Sequence, residues 1–459
     1  MSTATSSVDR ERLSSLLERE RARHRESNPE SMRRFEEARS SLFAGVPMSW
    51  MAKWAGGFPL QLAGAHGARI ADVDGHEYVD FALGDTGAMA GHSPEPLVRA
   101  VRERIDGRGG ITTMLPTEDA AWAGSELARR FGLPIWSFTL SATDANRFAL
   151  RTCREITGRP KVLVFSWCYH GTVDETFVID DRGVARSRPG NVGPMVDPVE
   201  TTRVCEFGDL EAVERLLADG QVACVLTEPA LTNIGIVLPR EGFLDGLREL
   251  TRAAGTLLII DETHTFSAGP GGCTAAWGLD PDLVTIGKAI GGGVPVGAYG
   301  MSERVARAAL DAEGADYEDT GGIGGTLAGN ALSLAAVRAT LGEVLTDDAF
   351  AGMAGLARRF AEGVEEVLAE SGVPWSVSRL GARAEYRFAS PAPRTGGESA
   401  AAGDGELDEL LHLYALNRGI VMTPFHNMAL MCPATSVEDV DLHTAVFREV
   451  VSELTVSAA

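Results

Sequence analysis

Between residues 135 and 300 short apolar, β-rich runs alternate with amphipathic stretches of helical spacing. The runs are Lys161–Phe165, Ala223–Leu226, Thr256–Ile260 and Leu283–Ile286, and stretches such as Asp209–Ala218 and Phe243–Ala254 stand between them. Leu257-Leu258-Ile259-Ile260 has no polar face, which predicts a strand covered on both sides, as in a parallel sheet. Strand and helix in alternation predict a doubly wound α/β domain.

Outside that block the pattern changes. Ser7 to Leu42 is charge-rich, with helical spacing at Leu13, Leu16 and Leu17; one or two solvated helices, or an arm across a partner, are predicted. Arg69–Phe81 alternates around Asp74-Gly75, the dipeptide of a tight hairpin turn. A helix is predicted from about Asn330, leading into a C-terminal α+β region. Ser390–Asp404, rich in Pro, Gly, Ser and Ala, is predicted to be an exposed loop. The expected organisation is an N-terminal arm with part of a small domain over 1–90, a large α/β domain over 91–340 and a small α+β domain over 341–459.

Composition narrows the classes. With 459 residues, 44% hydrophobic and 23% charged, the chain reads as an ordinary globular protein with room for more than one domain. A net charge of −22 argues against general affinity for nucleic acid or anionic membrane. No apolar stretch reaches the roughly 18 residues of a membrane helix, and the polar N-terminus carries no apolar targeting core. A cytoplasmic protein is expected. The six cysteines form no CxxC pair, so neither a disulfide framework nor a metal site is expected, and Cys224 reads as core.

In open parallel sheets ligands gather at the carboxyl ends of the strands. Three ionisable residues occur there: Glu228 after Val225-Leu226-Thr227, Asp261 after Ile259-Ile260, and Lys288 after Thr285-Ile286-Gly287. Successive members are about 30 residues apart, the length of one βαβ unit. A lone strand-end acid is an N-cap or loop ion pair; three such groups, with Gly291-Gly292-Gly293 close behind the lysine, point to one crevice. Ser141-Ala142-Thr143-Asp144 follows the run Trp136–Leu140 and opens the predicted helix Ala145–Ile156. Such a turn offers free N–H groups and a positive dipole end to a phosphate, plain N-capping being the alternative. Gly324-Gly325-Thr326 is a second turn of this kind. A Walker loop fails because Ala289 follows Lys288, and GxGxxG fails at Val296 and at Thr274.

The string Asp282–Gly297, DLVTIGKAIGGGVPVG, resembles the cofactor-lysine signature of class III aminotransferases, within them the glutamate-1-semialdehyde aminomutase-like branch. Asp74-Gly75, Tyr78-Val79-Asp80, Gly91-His92, Ser141–Ala145, Tyr169-His170-Gly171, Glu228-Pro229, Asp261-Glu262, Gly325-Thr326 and Gly329-Asn330 continue the match in order, over roughly residues 40 to 440. The resemblance implies fold type I of the pyridoxal-phosphate enzymes: a large α/β domain with a mostly parallel sheet, a smaller α+β domain from both termini, and a homodimer. It implies that Lys288 holds pyridoxal 5′-phosphate as a Schiff base and that Asp261 pairs with the ring nitrogen. Tyr169 would stack on the ring, with His170, Glu228 and Asn233 around it. Ser141 and the N–H groups of Ala142 and Thr143 would hold the phosphate, and Thr326 would reach it from the other subunit. An anionic Asp261 keeps the ring nitrogen protonated and the ring an electron sink; Lys288, freed as an amine, moves the proton.

The expected activity is amino-group transfer between an amine or amino acid, β- and ω-amino acids included, and a carbonyl acceptor. The alternatives are an intramolecular aminomutase, a racemase or decarboxylase, or a non-catalytic binder of the cofactor. In the aminomutase branch the segment matching Thr172–Thr202 is a mobile lid. Two departures bear on this. Ala142 stands where the family has glycine and requires a negative φ. Thr263-His264-Thr265-Phe266 replaces a continuation that carries an arginine. Pocket candidates are Arg383, as a carboxylate fork or an ion pair with Glu385, and His264, Trp50, His426 and Met428.

Overall fold

The computed structural model describes residues 8–312 and 322–455; Ser7 and Gly321, at the edges of segments singled out above, lie outside them. A seven-stranded sheet runs in the order Ile135–Thr139, Gly297–Met301, Leu283–Ile286, Leu257–Asp261, Val222–Thr227, Lys161–Phe165, Thr202–Cys205. Every neighbouring pair is parallel except those made by Gly297–Met301, which is antiparallel on both sides. The three central strands are buried along their whole length, as their unbroken Val, Leu and Ile content requires in a sheet covered on both faces. Each such side chain contributes about 1.5–3 kcal/mol by leaving water. The fold is that of type I pyridoxal-phosphate enzymes.

Ile260 lies opposite Thr227, and Asp261 opposite Thr285. The carboxyl ends of three adjacent strands are therefore level, and Glu228, Asp261 and Lys288 leave the sheet at one edge. Helix Phe243–Ala254 returns the chain between two of these strands and stops at Gly255, whose φ of 62° suits glycine.

The hairpin forms as the Asp-Gly turn predicts, Arg69–Asp72 against Glu77–Asp80. Ile420–Val421 adds to it in parallel, so the two ends of the chain share a sheet. A second small sheet joins Ser376–Leu380, Arg383–Arg387 and Met428–Leu430.

Two expectations are corrected. The N-terminal helix Arg10–Ser27 is neither solvated all round nor a free arm: Leu13, Leu16 and Leu17 are buried where it packs on Gly405–Leu416. Its Glu20, buried as well, accepts hydrogen bonds from Asn417 Nδ2 at 2.9 Å and Arg418 Nη1 at 3.2 Å. Ser390–Asp404 is not simply an exposed loop either. It contains helix Gly396–Ala401, with Gly396 and Ser399 buried and the Ser399 hydroxyl donating to the Ile234 carbonyl. Small residues that suggest a linker here allow close backbone approach instead. The six cysteines are free and buried. Among the described residues no helix is long and apolar enough to cross a membrane.

Candidate active site

The turn after Ile135–Thr139 is built by Ser141. Its hydroxyl accepts from Asp144 N at 3.2 Å and its carbonyl from Ala145 N at 3.1 Å. The N–H groups of Ala142 and Thr143, the first two of helix Ala142–Thr157, have no partner within the helix. Ala142 lies in the helix and is not among the left-handed residues, so a methyl group replaces the family glycine without strain. Glycines press on this turn. A Cβ on Gly287 would lie 2.9 Å from Ala142 N, and Gly171, at φ 77°, faces Thr143 with no room for a side chain.

Asp261 ends its strand with both carboxylate oxygens engaged. Oδ2 meets His170 Nδ1 at 2.9 Å and Asn146 Nδ2 at 2.9 Å, and Oδ1 accepts from Thr263 N at 3.0 Å. Burial alone would raise its pKa; the hydrogen bond and charge of His170, with Thr263 and Asn146, outweigh it and hold the carboxyl at about 2. Burial works against a charged His170, yet Cys168 and Asp261 beside it carry the imidazole well above its usual value. Glu228 is buried, accepts from the Thr232 hydroxyl and leaves Oε1 without a partner. Burial pushes it up to about 7 against the opposing pull of His170. Glu262 faces away from this cluster. It ties down the following loop through Cys273 N at 3.1 Å, Thr274 Oγ1 at 2.7 Å and Thr265 Oγ1 at 2.5 Å.

Lys288 adopts φ 46°, a left-handed conformation costly for a residue with a side chain. Its Nζ lies 2.7 Å from Asp85 Oδ2 and 2.7 Å from His264 Nε2. His264 Nδ1 lies 3.0 Å from Thr86 Oγ1 and 3.4 Å from Arg383 Nη2, which donates to Thr86 Oγ1 at 3.0 Å. Burial, then the Lys288 charge, hold His264 well below the usual imidazole value and keep it neutral. Burial would raise the pKa of Asp85; the charge and hydrogen bond of Lys288 outweigh it and hold the carboxyl below its usual range. Arg383 is 1% exposed, and its Nε and Nη1 have no partner among the described residues. The surface ion pair with Glu385 does not form: both groups are buried, and Glu385 faces His426 Nδ1 at 3.2 Å.

Tyr169, half-buried, precedes His170 and packs edge-on to Phe177 at 6.4 Å. Asn233 bridges Gly235 in the loop after Glu228. Trp50 is 40% exposed and touches this region only through Phe425, itself 5.1 Å from His426. Met428 is buried opposite Glu385. Thr326 is exposed, and no described hydrogen bond joins it to Ser141–Thr143 of its own chain.

Sequence reasoning missed Asp85, Thr86 and Asn146. Asp85 and Thr86 carry φ of 49° and 83° between Gly84 and Gly87. The flanking glycines just after a hairpin were the only signal, since the partners lie more than 170 positions away.

The residues fit a phosphorylated pyridine aldehyde: free N–H groups at a helix start for its phosphate, a fixed carboxylate for its ring nitrogen, and a strand-end amine for its aldehyde. Buried Glu228 Oε1, His170 Nε2 and Asp85 Oδ1 are unpartnered polar atoms around the same space. The family model described as Aminotransferase class-III matches residues 50–450. A glutamate-1-semialdehyde 2,1-aminomutase of Anaeromyxobacter sp. (strain Fw109-5) is 34% identical over 409 residues, covering 86% of this chain and 92% of the relative. Two crystal structures of a glutamate-1-semialdehyde-aminomutase from Pseudomonas aeruginosa PAO1, one in complex with PMP, share 50% identity at TM-score 0.95. They cover 98% of this chain and 100% of theirs. A beta-phenylalanine aminotransferase from Variovorax paradoxus is 28% identical at TM-score 0.85, covering 96% and 97%. The chain belongs to the class-III aminotransferases, pyridoxal 5′-phosphate enzymes, on their glutamate-1-semialdehyde 2,1-aminomutase-like branch.

Proposed function

We propose that this enzyme is an aminomutase, exchanging amino and carbonyl groups within one carboxylate-bearing amino aldehyde of the glutamate-1-semialdehyde type. The observation that carries the reading is the 50% identity, over 98% of the chain, to the Pseudomonas aeruginosa aminomutase. Arg383 supports the carboxylate: a buried cation with two unpartnered donor nitrogens lies three hydrogen bonds from Lys288, through His264 and Thr86.

Pyridoxal phosphate, when bound, supplies an aldehyde that takes up amines and a ring that stores an electron pair. The chain's own groups do the rest. Ser141, Ala142 and Thr143 would anchor the phosphate, and Asp261, kept anionic by His170, Asn146 and Thr263, would hold a proton on the ring nitrogen. Lys288 Nζ would take a proton from the substrate carbon and deliver it to the carbon on the other side of the shared nitrogen. Tyr169, Glu228 and Asn233 surround the ring, while Arg383, with His264, His426 and Trp50 as pocket wall, orients the substrate. The segment Thr172–Thr202 holds the hairpin Val178–Asp181/Val184–Ser187, and Arg188 Nη1 donates to Cys168 O at 2.8 Å beside Tyr169. A cover in this position would retain the half-reacted substrate and exclude water. A homodimer in which Thr326 serves the partner's phosphate site accords with its exposure.

Purified holoenzyme given glutamate 1-semialdehyde, with no other amino donor or acceptor, is expected to form the isomer over many turnovers. The likeness to the beta-phenylalanine aminotransferase favours a second reading, transfer between two molecules. Release of one equivalent of the deaminated dicarbonyl without isomer, with steady turnover only after an oxo acid is added, would decide for it.

A further inference from the structure

The nitrogen of Lys288 stands between two groups of opposite hydrogen-bonding character. Asp85 Oδ2, 2.7 Å away, can only accept. The character of His264 Nε2, also 2.7 Å away, follows from the far side of its ring. Arg383 is always a donor, and its Nη2 points at Thr86 Oγ1 (3.0 Å) and at His264 Nδ1 (3.4 Å). Nδ1 is therefore the accepting nitrogen, the Thr86 hydroxyl proton turns to it, and the single proton of the neutral ring sits on Nε2, aimed at Lys288. Uncharged, the amine satisfies both neighbours, accepting from His264 and donating to Asp85; charged, it can only donate. Once that nitrogen is doubly bonded to the cofactor's carbon it has either a lone pair or an N–H in this plane, not both.

We propose that Asp85 and His264 form a two-sided selector on the cofactor-bonded Lys288 nitrogen, Asp85 accepting from its proton when present and His264 donating to its lone pair when absent. The proposal rests on the pyridoxal-phosphate reading and is independent of whether the reaction is a mutase or a transaminase. Other charged or titratable groups face the same space: Arg383 and Glu385 from their strand, His426 from the loop before Met428–Leu430, and Tyr169 from the lip of the cleft. None of them has a described hydrogen bond to Nζ. Asp85 keeps Oδ1 unpartnered and its side chain is 24% exposed, so its charge is little screened at Lys288. Its φ of 49° is one that Asn also adopts readily, which makes Asp85→Asn a charge-removing change with little backbone cost.

The test is a pH titration of the visible absorption band of the cofactor-loaded protein. Borohydride reduction and mass measurement establish that Lys288 still bears the cofactor in each variant. Asp85→Asn is expected to lower the midpoint of the band's change by about one pH unit or more, as an opposite charge at this range is worth. His264→Leu, which removes the donor, is expected to raise it. A purely structural role for either residue would leave the midpoint where it is. Midpoints that do not move, or that move in the same direction, overturn the proposal; if one variant fails to fold, the sign of the other decides.

Discussion

Asp261 Oδ2 and His170 Nδ1 lie 2.9 Å apart, both side chains buried, and the pair fixes a negative charge at the end of a central strand. Water would cancel such a charge; here three donors hold it instead. Asp261→Asn keeps the shape and removes the charge. Turnover is expected to fall by about 10²–10³-fold, while the cofactor stays attached to Lys288. Steady-state rates alongside the absorption spectrum check this, and a wild-type rate would strip Asp261 of its role.

Lys288→Ala removes the strand-end amine that faces Asp85 and His264. The dialysis-stable visible band of the holoenzyme is expected to vanish, and turnover to drop by at least about 10²–10⁴-fold. Persistence of the covalent band in this variant would move the attachment point elsewhere.

Arg383→Met exchanges the buried fork for an uncharged chain of similar length. Losing charge-assisted hydrogen bonds to a carboxylate costs about 1.5–3 kcal/mol, so kcat/KM for a carboxylate substrate is expected to fall roughly 10- to 100-fold. An analogue lacking the carboxylate should be unaffected. Equal losses on both compounds would show that Arg383 acts only by supporting Thr86 and His264.

Glu228 gives a pH signature. Its pKa is near 7 in the fold, above the ordinary 4.5, so the folded chain holds a proton that the unfolded chain has released. Stability from this group is full below the unfolded value, declines between about 4.5 and 7, and stays low above. Glu228→Gln, never charged, is expected to raise the Tm of the cofactor-free protein at pH 8 and to leave it nearly unchanged at pH 4. Calorimetry at the two pH values checks the sign.

Much of the scaffold was legible because burial writes itself into period and composition. Leu283–Ile286 and Phe243–Ala254 have the bounds their apolar spacing predicts. The positions of Glu228, Asp261 and Lys288 at level strand ends follow from the same rule. What lay hidden depends on contacts between distant segments. Asp85 reaches the lysine, and Thr86 the neighbouring His264, from a turn of left-handed residues, a conformation no local pattern announces. Arg383 sits in a strand that looks amphipathic, yet that strand is buried throughout. Gly396–Ala401 is hidden within an expected exposed loop because small residues serve both looseness and close contact. No residue type tells whether the half-reacted intermediate is retained or released, which is why transfer between two molecules is the first expectation from the sequence and exchange within one is better supported by the relatives.

Gly287 separates the Ser141–Thr143 turn, proposed to hold the phosphate, from Lys288, the proposed attachment point, by the thickness of bare main chain. The gauge that measures the cofactor end to end is thus set by backbone lying on backbone, not by any exchangeable side chain. Pocket residues such as Asp85, His264 and Arg383 can diverge, and with them the choice of substrate, while the span from phosphate to aldehyde carbon stays constant.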